Sequence, residues 1–112
     1  MEKEAVMQAR AAALVAQFRA LRLLASKDPV RATEINIENM QYTLEKANTI
    51  DSEGNILGIQ ESIGQFREIY QFNAKIIQIA QALGGNLTAI HAINAQAMPG
   101  LEETLNNIFT KM

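Results

Sequence analysis

Between Ile56 and Leu83 the apolar residues fall into two adjoining rows that a helix brings onto one side. Ile56, Ile59, Ile63, Phe66, Tyr70, Asn73, Ile77 and Ala80 are spaced alternately by three and four, a coiled-coil rhythm. Ile69, Phe72, Ile76, Ile79 and Leu83 repeat that alternation alongside. Two rows make the apolar face wider than a two-stranded seam requires. The segment therefore predicts one long helix, set at the centre of a bundle or covered by neighbouring subunits as well as by its own chain. Its polar face carries Gln60, Gln65, Gln71 and Gln78 and few charges. Gly58 and Gly64 each cost roughly 1 kcal/mol against alanine in a helix interior, which marks close contacts or a late helix start.

The flanking sequence supplies the partners of this helix. Residues from about Glu2 to Ser26 are rich in alanine, the best helix former, and Leu14, Phe18, Leu21 and Leu24 recur at helical spacing. Small alanines on the flanks of that row permit close approach of a neighbouring helix. Asp28-Pro29 marks the next start, because aspartate is a favoured N-cap and proline a favoured first helical residue. A second helix follows to about Ala47, with Val30, Ile37, Met40 and Leu44 inward. The polar run Asn48–Asn55 reads as a loop. Gly84-Gly85 stops the third helix, since glycine takes the left-handed C-terminal position without steric cost. Asn86 caps a fourth helix over 87–98, with Leu87, Ile90, Ile93 and Ala97 on one side. Pro99-Gly100 breaks or kinks it, and a short final helix over 101–111 presents Leu101, Leu105, Ile108 and Phe109. The expected fold is one all-α domain over residues 1–112, a small helical bundle of about four to five helices with one long central helix.

Composition narrows the chemistry. With no cysteine, the 112 residues carry no disulfide, no thiol nucleophile and no thiolate-bound zinc. The single histidine, His91, leaves no imidazole cluster for a metal or a Ser-His-Asp set, and it reads as structural or exposed. Glu34 and Glu38 share a helix face at i, i+4, and Glu102-Glu103 are adjacent, but a diiron bundle needs a histidine three residues after a glutamate, twice. A calcium loop from Asp51 needs a glutamate at its twelfth position, where Ser62 stands. Gly84-Gly85-Asn86 lacks the preceding strand and following lysine of a phosphate loop. These residues imply no enzyme, no cofactor, no metal and no small-molecule substrate.

Net charge is −2, which disfavours a generally cationic nucleic-acid binder, although the basic residues gather early as Arg10, Arg19, Arg22 and Arg31. That unevenness suits head-to-tail association of subunits or an acidic partner at the N-terminal helix, but Lys3 and Arg10 fall on a different side from Arg19 and Arg22, the pattern of a solvated surface. No apolar run reaches the roughly 20 residues that span a bilayer, and arginines interrupt the early alanine-rich stretch where a signal peptide needs an unbroken core. The expectation is a soluble chain without a cleavable leader, cytoplasmic or exported by a leaderless route.

One motif is more specific. Glu61, Tyr70, Asn73, Lys75, Ile77, Ala80 and Leu83, in the run Tyr70-Gln71-Phe72-Asn73-Ala74-Lys75-Ile76-Ile77-Gln78-Ile79-Ala80, resemble the C-terminal helix motif of bacterial flagellar rod and hook proteins. Ala47-Asn48-Thr49 after Leu44 is similar to the stretch that ends the N-terminal helix of that family. The resemblance implies a helical axial subunit, exported through a type III secretion route and assembled with its own kind.

The sequence therefore points to a non-enzymatic protein that works by protein–protein association, as a homo-oligomer or on another protein. The candidate interaction residues are Phe66, Tyr70, Asn73, Ile77, Phe72 and Ile76 on the third helix and Phe18 and Leu21 on the first. Asn73 in the apolar seam either fixes register by pairing with a counterpart or bonds locally beside a packing gap. A second expectation is a soluble adaptor, chaperone or regulator that holds a partner helix in an apolar groove.

Overall fold

The computed structural model describes the backbone of residues 2–52 and 56–111, and the side chains of residues 12–48 and 56–110 with Ala5 and Gln8. Four helices account for nearly all of it: α1 (Glu2–Ala25), α2 (Pro29–Ser52), α3 (Ile56–Ala82) and α4 (Thr88–Lys111). The turn signals act as their chemistry dictates. Asp28 Oδ1 accepts the Arg31 N–H at 3.1 Å, so α2 begins on a side-chain cap. Gly84 sits at φ 70°, and the chain closes α3 with Gly84 N–H to Gln81 O at 3.0 Å and Gly85 N–H to Ala80 O at 2.9 Å. That pair of bonds is a Schellman motif, and only glycine takes its left-handed position freely. Asn86 Oδ1 then accepts the Thr88 N–H at 2.9 Å and starts α4.

Two expected boundaries are corrected. Residues 48–52, read as loop, continue α2, while residues 53–55 lie outside the described part. Asn, Thr, Asp and Ser each cost well under 1 kcal/mol in a helix interior, and the first true breaker on this stretch is Gly54. The break at Pro99-Gly100 does not occur either, and the expected helices over 87–98 and 101–111 are the single helix α4. Pro99 is exposed, and so is Ala95, whose carbonyl loses its partner N–H, so water can take that bond. The apolar row Ile93, Ala97, Leu101, Leu105, Ile108 keeps helical phase across the proline and packs against one core.

Packing is uneven. α2 lies along all three other helices, most extensively α3; α1 also lies along α3, whereas α4 has no comparable packing on α1 or α3. The larger core joins Met40 and Leu44 of α2, Ile59, Ile63 and Phe66 of α3, and Leu101 and Ile108 of α4. A smaller one joins Leu21 and Ala25 of α1, Ala32 of α2, and Phe72 and Ile76 of α3. Buried Thr33 and Thr43 donate their hydroxyls to the Pro29 and Asn39 carbonyls one turn back, so their polar atoms are satisfied within α2.

The result is a slab. Its Cα extents are 46 × 31 × 14 Å, and the thin dimension is that of two packed helices. The radius of gyration is 15.1 Å, against about 13 Å for a compact domain of this length. Accessible surface is 7012 Å², about 900 Å² above the roughly 6,100 Å² typical of a folded monomer of this mass.

Candidate interaction surface

The sequence-predicted interaction residues divide between interior and surface. Ile76 is fully buried, and Leu21, Phe66 and Phe72 are nearly so. Phe18, half-buried, stacks on Phe72 with ring centroids 4.5 Å apart, and the Arg22 guanidinium covers the same ring at 5.7 Å. Leu21, Phe18, Phe72 and Ile76, with Arg22 over the ring, fasten α1 to α3 and form no free face. Asn73 is buried with its Oδ1 unpartnered, and Ile77 is half-exposed. Tyr70 is 48% exposed, and its ring tilts toward that of Phe66 at 6.1 Å.

Phe66 and Tyr70 open onto a groove of about 370 Å³ between α3 and α4. Phe66, Met98, Leu101 and Leu105 give it an apolar lining, with Tyr70 at one edge. Its rims carry opposite charges, Arg67 from α3 and Glu102 from α4, and neither forms an ion pair among the described residues. The groove exists because α4 packs on α2 and leaves α3, so side chains meet at the floor while the two backbones stay apart. Sequence reasoning missed its α4 wall. The signal was present in Met98, Leu101 and Leu105, spaced by three and four, but the proline beside Met98 read as a stop.

A second surface lies on α1. Leu14, Leu21 and Ala25 face inward, yet Ala12, Val15, Ala16, Ala20 and Leu23 on the other side are exposed, Leu23 at 69%. Helical spacing sets exposed Arg19 among these residues, so this side of α1 is mixed rather than apolar. The Arg10 side chain lies outside the described residues; Arg19, Arg22 and Arg31 are exposed, and Arg31 faces Glu38 at 3.8 Å. Tyr42, Ile56, Leu57, Leu83 and Phe109 are further large side chains left in solvent. Among the described residues no group of three or more His, Asp or Glu side chains is placed to hold a metal. No described helix is long and apolar enough to cross a membrane. Comparison with known protein families, characterised proteins and solved structures finds no match.

Proposed function

We propose that this chain is a non-enzymatic assembly protein, a helical subunit that associates with copies of itself as part of an axial or secretion-type structure. The observation that carries the reading is the surplus surface. About 900 Å² beyond the norm for this mass reflects an extended slab whose helix faces are left uncovered and open to a protein–protein interface. The exposed large side chains supply the apolar character such an interface needs. The flagellar rod and hook resemblance points the same way; its residues run along α3 from Glu61 to Ala80, with Leu83 just past the helix end, and include exposed Tyr70 and Lys75. Sedimentation velocity across a wide concentration range tests the proposal. The expected result is a population of species that grows with concentration, and a monomer at every concentration refutes it.

A second reading rests on the groove between α3 and α4. An apolar trough flanked by two helices also fits an adaptor that holds the apolar face of a partner helix. That reading requires a purified chain that stays monomeric alone and gains a stoichiometric partner when one is supplied.

A further inference from the structure

We infer that the face carrying the groove between α3 and α4 is a two-fold interface, met by the same face of a second copy of the chain. The inference rests on self-association and names the surface that mediates it. Helical spacing sets Ile56, Arg67 and Tyr70 of α3 and Met98, Glu102 and Phe109 of α4 on the side where the groove opens. Ile56, Tyr70 and Phe109 are all large side chains left in solvent, so the apolar character extends beyond the groove itself. Among the described residues the charges of this face are Arg67 and Glu102, one on each rim, both exposed and neither paired. Glu61, Glu68 and Lys75 on α3 and Glu103 on α4 fall on other sides of their helices.

That pattern is its own complement. α3 and α4 run antiparallel, which sets Arg67 level with Glu102 and Tyr70 level with Met98 to within about a helical turn. A half-turn about an axis along the groove lays the α3 of a second copy over the α4 of the first. Arg67 of each copy then faces Glu102 of the other, so the pair forms twice. Tyr70 of each meets Met98 of the other, a favourable contact of ring and thioether, and Ile56 meets Phe109. An axis across the groove sets Arg67 on Arg67 and Glu102 on Glu102 instead, so the charges select one orientation. The same fact selects the occupant. Each feature of the face finds its match within the face, whereas a separate helix must bring an acid on one edge and a base on the other. A contact of this kind closes on itself, so the face yields a dimer, and any longer assembly uses other surfaces.

Charge exchange tests this. Arg67→Glu sets glutamate against glutamate at both symmetric contacts, and Glu102→Arg sets arginine against arginine. Both positions are exposed and unpaired, so each variant should keep the wild-type circular dichroism. Each alone should weaken self-association about tenfold, because the symmetry counts every change twice. Mixed in equal amounts, the two variants regain opposite charges at both contacts and should recover the wild-type sedimentation profile. Arg67→Glu combined with Glu102→Arg in one chain should recover it as well. If wild-type protein self-associates and neither variant alters it, this face is not the interface and self-association stands. If both variants weaken association but neither the mixture nor the double variant recovers it, the face meets a different surface or a partner helix, and the inference falls. A wild-type chain monomeric throughout overturns both readings.

Discussion

The buried amide of Asn36 gives the sharpest test of how α2 and α3 are joined. Asn36 has no exposed surface, and its Nδ2–H donates across the interface to the Ile69 carbonyl at 3.0 Å, while its Oδ1 has no partner. Asn36→Asp preserves the shape and exchanges the donor nitrogen for oxygen. An ionised carboxylate there sets acceptor against acceptor in a site closed to solvent. The contact survives only if the introduced carboxyl keeps a proton and donates it to Ile69. Burial and that hydrogen bond both favour the neutral acid, so its folded-state pKa rises above the unfolded value of about 3.9. Between those two values the folded chain holds the proton and the unfolded chain has released it. Stability therefore falls as pH rises, by about 1.4 kcal/mol per unit.

From about pH 4 to pH 7 the loss reaches roughly 4 kcal/mol, a large part of the roughly 5–15 kcal/mol that holds a domain of this kind folded. Urea unfolding of wild type and variant at several pH values across that interval measures the difference directly, because the pH dependence common to both cancels. Asn36→Leu is the control. It removes the unpartnered Oδ1 along with the hydrogen bond and leaves no polar atom to desolvate, so it should stay within about 1 kcal/mol of wild type at every pH. A gap between Asn36→Asp and wild type that does not change with pH would mean that water reaches this position, and the packing of α2 on α3 described above would be wrong.

Phe72→Ala should cost about 3–5 kcal/mol, because it empties a buried site and unstacks Phe18; at roughly 4 °C per kcal/mol, thermal melting should show a drop of about 12–20 °C. Two glycines should respond in opposite directions to alanine. Gly64 is exposed within α3 and an added Cβ meets nothing within 4 Å, so Gly64→Ala should stabilise by up to about 1 kcal/mol, whereas Gly84→Ala forces a Cβ onto φ 70° and should destabilise by a similar amount. Pro99→Ala returns an N–H to the Ala95 carbonyl on the exposed side of α4 and should raise stability by about 1–3 kcal/mol with unchanged helix content. Chemical denaturation followed by circular dichroism checks all three positions, and a loss of helix in Pro99→Ala would contradict the continuous α4.

What the sequence revealed, and what it concealed, follows from how local each signal is. Asp28-Pro29 and Gly84-Gly85 act through bonds to their own helix turns, and both boundaries were legible within one or two residues. The inner faces were legible for the same reason: Ile37, Met40 and Leu44, or Ile59, Ile63 and Phe66, are fixed by helical spacing alone. The polar stretch after Ala47 misled because residues that favour turns are also tolerated in helices. Pro99 misled for a related reason. A proline in a helix interior is disfavoured on average, yet an apolar row in phase on both sides can offset its cost when the orphaned carbonyl faces water. Which side of Tyr70 or Leu23 stays in solvent depends on where α4 and α1 settle, and spacing within one helix carries no record of that.

The placement of α4 ties these points together. A connection as short as residues 83–87 usually sets consecutive helices side by side as antiparallel neighbours. Here the α4 backbone instead lies along α2, and Leu101 and Ile108 enter the core that α2 and α3 share. Its phase decides this, because the row that reaches α2 and the row made by Met98 and Leu105 lie on adjacent sides of the same helix. Satisfying the first row leaves the second at the edge of the groove. α1 differs, with one row satisfied by α2 and α3 and a mixed side turned outward. The chain thus carries an apolar row on α4 that its own helices leave only partly covered.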